Sequence, residues 1–434
     1  MKLWDKGYTT ADLVEKFTVG DDRILDLKLA KYDVQASLAH AKMLEKVGLL
    51  TRKEFSELEK GLEEIGQSIK EGTFAIEESF EDVHSKIEFE LTKTAGEAGK
   101  KIHTARSRND QVLVALHLFL KDETKDIKKE VKKLFDTLMQ LSEKYKDVLM
   151  PGYTHTQIAM PSSFGLWFAA YAETLVDDVV ILNAVADMAD QNPLGSAAGY
   201  GSSFPIDRTL TTSLLGFKNM KYNSVAAQLS RGKLEKSLAF ALASVSGTLS
   251  KMASDMILYL SGNFNFFHFP KELTTGSSIM PHKQNPDVLE LLRAKSNKIQ
   301  SLPNEITLIV NNLISGYHRD FQLLKGSIME AIDQVKENLE VFVFMLNNIQ
   351  VNKDILNNDD LYKYLYSVES VNKLVQDGVS FREAYKIVGK QILEGDYHPD
   401  KSIKHTHEGS LGNLCNEEIK EKFRRYYTGP KTIV

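Results

Sequence analysis

The chain has 434 residues, 42% of them hydrophobic and 26% charged, a make-up that excludes a disordered or collagen-like protein. Its formal net charge of −5 supplies no general basic field for nucleic acid or an anionic membrane, so any anion site must be local. A single cysteine, Cys415, excludes an intrachain disulfide and a thiolate metal cluster and fits a reducing, cytoplasmic location. The length suits two or three domains rather than one core. Residues 1–7 carry no apolar signal segment, and the later apolar windows are interrupted by charged or amide residues. Neither export nor a membrane span is expected.

All but two of the ten prolines lie between Pro151 and Pro303, which permits long helices on both sides. Long apolar segments at residues 110–145, 162–189, 224–261, 287–314 and 322–348 predict helices. In the second of these, apolar residues such as Leu166, Phe168, Leu175, Val179 and Leu182 fall on nearly every face. Helices of this kind belong inside a bundle, and several are too apolar for one face to stay solvated in a monomer, so a homo-oligomer is expected. Strand-type alternation is nearly absent and no solenoid repeat is evident. The fold class is all-α. Small polar residues and glycine concentrate at residues 105–111, 150–163, 192–208 and 274–286, the loops between long helices.

Four stretches carry the chemistry. The first, Gly276-Ser277-Ser278-Ile279-Met280-Pro281-His282-Lys283-Gln284-Asn285-Pro286, joins a flexible loop to a cation and an amide, a set able to surround a carboxylate or an enolate-like oxygen. A plain turn before a helix is the alternative reading. The second is Gly152-Tyr153-Thr154-His155-Thr156-Gln157, where the histidine is structural or catalytic. The third, His103-Thr104-Ala105-Arg106-Ser107-Arg108-Asn109-Asp110-Gln111, opens a long helix with two arginines and an amide, either a fork for carboxylates or a solvated cap. The fourth, Tyr317-His318-Arg319-Asp320-Phe321-Gln322-Leu323-Leu324-Lys325, puts Gln322 and Lys325 on one helical face.

Together these stretches resemble the fumarase/aspartase superfamily, whose signature is Gly-Ser-Ser-x-Met-Pro-x-Lys-x-Asn-Pro. The Arg-Ser-Arg-Asn-Asp-Gln run and the Tyr-x₄-Gln-x₂-Lys spacing are similar to the argininosuccinate lyases in particular. The resemblance spans about two thirds of the chain, from Asp82-Val83-His84 to Ser380-Phe381-Arg382-Glu383-Ala384.

It implies a three-domain fold: an N-terminal helical domain at residues 1–106, a central long-helix bundle at 107–354 and a small helical domain at 355–434. The bundle would form a twenty-helix core in a homotetramer whose active sites each take loops from three chains. The implied reaction is reversible β-elimination of argininosuccinate to L-arginine and fumarate. Ser277 would take the proton, with His155 left open as the base; Lys283 and Asn285 would bind the carboxylate; Glu290 would orient His155. Arg108 and Asn109 would hold the succinate part, and Thr154, Tyr317, Gln322, Lys325, Arg106, His84, Ser278 and Arg231 would complete the substrate site. No metal ligand spacing or nucleotide loop is visible, and no metal or other cofactor is expected. Another superfamily lyase and a crystallin-like structural protein are the alternatives.

The sequence departs from the family in four places. Ala105 replaces a glycine, Met160 stands where a glutamine precedes the proline, Asn223 to Glu235 differs from the common version, and Asp22 stands where a serine contacts substrate. These changes lead to the expectation that an α-N-acylated argininosuccinate is accepted.

Overall fold

The computed structural model describes residues 12–403 and 405–428 and is 67% helical, so the all-helical expectation holds. Among the described residues, strands form only four short two-stranded pieces. Residues 1–7, read above for a signal segment, lie outside the described part. No helix is long and apolar enough to cross a membrane, among the described residues.

Three expected helices stand nearly whole, at Arg108–Lys144, Phe164–Ala189 and Leu323–Asn347. The second starts late because Ser162 and Ser163 belong to a strand, and the Ser163 hydroxyl accepts from Leu166 N at 3.1 Å to cap the helix. The segment at 224–261 divides into Ser224–Leu229 and Lys233–Leu260. Gly232 makes the break: its φ is +78°, and a side chain there would meet Val310 at 2.8 Å. The segment at 287–314 divides into Asp287–Ile299 and Leu302–Val310, with Pro303 in the first turn of the new helix, where its missing N–H is not needed. The last expected helix, Leu323–Asn347, is preceded by a 3₁₀ turn at Arg319–Gln322.

The chain forms two compact units. One comprises residues 12–127, 181–243 and 299–335 of the described chain. In it, helices Ala30–Lys46, Arg52–Lys70 and Val83–Ala95 enclose a core that includes Leu44, Leu58, Leu62, Val83 and Leu91. Thr51 and Glu54 form a reciprocal capping box on the second helix, and Asp82 caps the third through Ser85 N at 2.8 Å. The Asn192–Arg208 stretch is held by its own polar groups. Asp110 accepts from Gly195 N and Ala197 N, while Arg208 donates to the carbonyls of Leu194, Lys221 and Tyr222.

The other unit comprises the described residues within 128–180, 244–298 and 336–428. It contains a hairpin of Leu149–Thr154 and Gln157–Ser163 that periodicity did not predict. Rings of Trp167, Tyr259, Phe264 and Phe266 cluster beneath it, and Asp255 accepts from Trp167 Nε1 and Tyr171 Oη at 3.2 and 2.6 Å. A small core of Val371, Ala384, Val388 and Tyr397 closes the C-terminal part.

The end of Arg108–Lys144 meets the start of Phe164–Ala189 at Gly165. A β-carbon there would lie 2.4 Å from Lys146 Cα and 2.7 Å from Ser142 O, both unable to retreat like a flexible side chain. Gly165→Ala is expected to destabilise the protein by ~1–3 kcal/mol, read as a lowered urea midpoint with unchanged m value.

Candidate active site

A cavity of about 470 Å³ in the first unit collects most of the residues singled out for substrate binding. His84, Arg108, Asn109, Arg231, Tyr317, Gln322 and Lys325 all line it, although they come from four separate parts of the chain. Asp22, Asp26, Asp82, His103 and Arg319 line it too. Arg106 is absent from the lining; it is buried behind, donating to Ser37 Oγ at 2.9 Å. Ala105, the residue in place of a glycine, has a φ of +61°, so the left-handed turn that a glycine would make at no cost is made here with a side chain.

Each cation in the cavity is already engaged. Arg108 bonds Glu81 at 2.9 Å and Asp82 at 3.2 Å. Arg319 approaches Glu81 at 3.7 Å, and Arg231 pairs with Glu235 at 2.9 Å. Lys325 lies 2.6 Å from Asp22 and 2.7 Å from Asp26, both in the segment that closes one end of the cavity. Gln322 ties down the same segment by donating to Thr18 O and Val19 O at 2.9 and 3.0 Å.

Behind the cavity His84 Nδ1 stands 3.2 Å from Asp33, and both side chains are buried. Burial opposes the imidazolium, but the carboxylates of Asp33, Asp82 and Asp26 together outweigh it, Asp33 foremost, and the pKa of His84 is raised. Burial likewise opposes the Asp33 carboxylate, and His84 together with Arg106 and Gln111 outweighs that and lowers its pKa. His103 is pushed the other way, to about 4, by burial and then by Arg106 and Arg108. It is neutral at neutral pH. Burial works against the Lys325 ammonium, yet Asp26 and Asp22 raise its pKa.

The remaining candidates lie in the second unit, on its surface. Thr154 ends one strand of the hairpin, and His155 and Thr156 form its two-residue turn. Both turn residues have positive φ, 51° and 59°, a geometry that Asn-Gly favours and that strains a β-branched threonine. The turn holds the imidazole out, exposed. In the signature loop, Thr275–Gly276 pairs with Gln284–Asn285, and Asn285 Nδ2 donates to Gly276 O at 3.2 Å. Ser277 Oγ accepts from Met280 N at 3.1 Å and from Ile279 N at 3.4 Å, while Ser278, Lys283 and Glu290 are exposed. Among the described residues no ion pair or hydrogen bond joins His155 to Glu290 within the chain.

Sequence reasoning passed over Asp33, Asp82, His103 and Arg319 as members of the site. Arg319, Asp82 and His103 stood inside quoted stretches and could have been found there. Asp33 carried one faint signal, an acid next to Tyr32 and Val34 in a helix whose neighbours are apolar.

The profile of the lyase family matches residues 7–301. The argininosuccinate lyase of Phocaeicola vulgatus is 55% identical over 99% of this chain and 96% of its own length, and that of Bacteroides fragilis is 54% identical over the same shares. Among solved structures, a fumarate lyase of Brucella melitensis, also described as a delta crystallin, superposes with a TM-score of 0.75 at 18% identity. It covers 95% of this chain and 93% of that one. The chain belongs to the lyase family and, within it, to the argininosuccinate lyases.

Asp33→Asn leaves His84 buried without its carboxylate and is expected to cost ~3 kcal/mol. Because the pKa of His84 is raised in the fold, the stability this pair supplies is present below the ordinary histidine range and is lost as pH rises through the raised value. Urea unfolding of both proteins at mildly acid and alkaline pH should show the gap narrowing on the alkaline side.

Proposed function

We propose that the protein is a cytoplasmic enzyme that catalyses the reversible β-elimination of argininosuccinate to L-arginine and fumarate. The observation that carries this reading is the cavity itself, which gathers Arg108, Asn109, Tyr317, Gln322 and Lys325 beside His84 and Arg231. Relatives at 54–55% identity named argininosuccinate lyases support the substrate.

Elimination removes a proton from the carbon next to a carboxylate, and the electron pair then expels the guanidino nitrogen. Ser277 takes the proton. A serine hydroxyl is a weak base unless its alkoxide is stabilised, and the Met280 and Ile279 amides directed at Oγ supply that stabilisation. Lys283 and Asn285 bind the carboxylate on which charge collects. His155, oriented by Glu290, delivers a proton to the leaving nitrogen, which departs as arginine while the carbon skeleton leaves as fumarate. Arg108 and Asn109 hold the succinate part, with Thr154 and Ser278 beside it.

Lys283, His155 and Glu290 are exposed and Ser277 is half-buried in an exposed loop, a placement that suits groups completing a site on another copy of the chain. The assembled form is a homotetramer, each active site taking loops from three chains. The exposed side chains Val180, Ile181, Phe240, Leu291 and Leu308 on its long helices support such an assembly.

Ser277→Ala is expected to lower the rate of fumarate release, followed by ultraviolet absorbance, by ~10²- to 10⁴-fold with the helical circular dichroism unchanged. A near-normal rate would remove Ser277 from its role. Light scattering should report four chains per particle; an active monomer would contradict the shared site.

A further inference from the structure

The charge around the cavity does not balance. Its lining and the direct partners of that lining contribute seven carboxylates: Asp22, Asp26, Asp33, Glu81, Asp82, Glu88 and Glu235. Against them stand six cationic groups: Arg108, Arg231, Arg319, Lys325, His84, whose raised pKa favours the imidazolium, and the buried Arg106 behind Asp33 and Glu88, while His103 is neutral. One negative charge is left over in a largely buried place, where an unpaired charge is costly. Its location is defined by contacts: two carboxylates share the single ammonium of Lys325, and side-chain exposure is 14% at Asp22 and 2% at Asp26. Of the pair, Asp26 is further committed, accepting from Val83 N at 3.3 Å. Among the described residues Asp22 has no further partner, and it faces the cavity.

We infer that Asp22 is a specificity-determining residue that accepts the free α-ammonium of the substrate's amino-acid end. This rests on the lyase reading above, and it reverses the expectation drawn from the sequence that the serine-to-aspartate change opens the site to an α-N-acylated substrate. The physical reason is the sign of the group. An ammonium brings the missing positive charge and up to three donors to Asp22. An amide nitrogen brings one donor and no charge, and its acyl oxygen meets a carboxylate that cannot donate to it. A serine in the same position would tolerate both. Asp22 thus excludes acylated analogues by leaving a buried charge unanswered, the kind of rejection that polar sites perform well and apolar ones poorly.

The test compares argininosuccinate with its α-N-acetyl derivative in the wild-type enzyme and in Asp22→Asn and Asp22→Ser, with fumarate release as the readout. The wild type is expected to favour the free amine by ~100-fold or more in kcat/KM. Both variants should raise KM for the free amine ~10- to 100-fold, with kcat changed much less, and reduce the preference. Calorimetric titration of the same proteins with arginine and α-N-acetylarginine reads the cavity without catalysis. Arginine should bind the wild type at least tenfold more tightly than its acetyl derivative, and the variants should lose that difference. Equal turnover or equal binding of the acetylated compound by the wild type would overturn the assignment, as would variants that weaken both ligands alike. Selective arginine binding without fumarate from either substrate would sink the lyase reading and leave the cation site standing. A wild type that binds neither arginine compound would remove the site.

Discussion

Lys325 is buried with two carboxylates on its ammonium, and the arrangement of the cavity depends on that triad. Removing either partner from a buried pair leaves an uncompensated charge whose cost is commonly ~3–5 kcal/mol, so the three groups hold each other in place. Because Asp22 and Asp26 belong to the N-terminal segment and Lys325 to the helix Leu323–Asn347, the triad also positions the wall of the cavity. Gln322, one turn before, fixes the carbonyls of the same segment. The residues expected to touch substrate are thus the residues that build its container.

The two sets of candidate groups differ in how they are held. In the first unit, Arg108, Arg231, Lys325 and His84 have carboxylate partners and restricted exposure, so their positions are set before any ligand arrives. In the second, the signature loop and the hairpin tip are exposed, and backbone geometry restrains them instead. A two-residue turn with both φ values positive aims His155, and a short strand pair closes the loop around Ser277. Strain at a Thr156 turn is tolerated because the hairpin on either side dictates the register, and it falls where the chemistry is proposed.

Much was legible in the sequence because it depended on local pattern. Apolar residues on nearly every face of residues 162–189, with no proline among them, predicted a long helix there, and Phe164–Ala189 is that helix. The signature run and the Arg-Ser-Arg-Asn-Asp-Gln run were legible for another reason: several residues of defined chemistry at defined spacing rarely coincide by chance. The hairpin was missed because Pro151, Gly152 and Pro161 read as a loop, and a two-stranded ladder needs only short segments that face each other. The helix breaks near Gly232 and Pro303 were missed because one glycine or proline in an apolar run does not say whether the helix bends, stops or continues.

By itself the sequence determined the fold class, the long helices and the chemical identity of the groups, since these follow from periodicity, composition and motif spacing. Only the tertiary structure decided which charges face one another. Asp26 and Lys325 stand 299 positions apart in the chain, and Asp33 and Gln111 stand 78 apart, so no local pattern could pair them. The departure at Asp22 shows the difference most directly. Read along the chain it was a lost serine contact; placed in the cavity it became a carboxylate sharing one ammonium with another, because charge acquires a meaning for binding only when burial and neighbours are known.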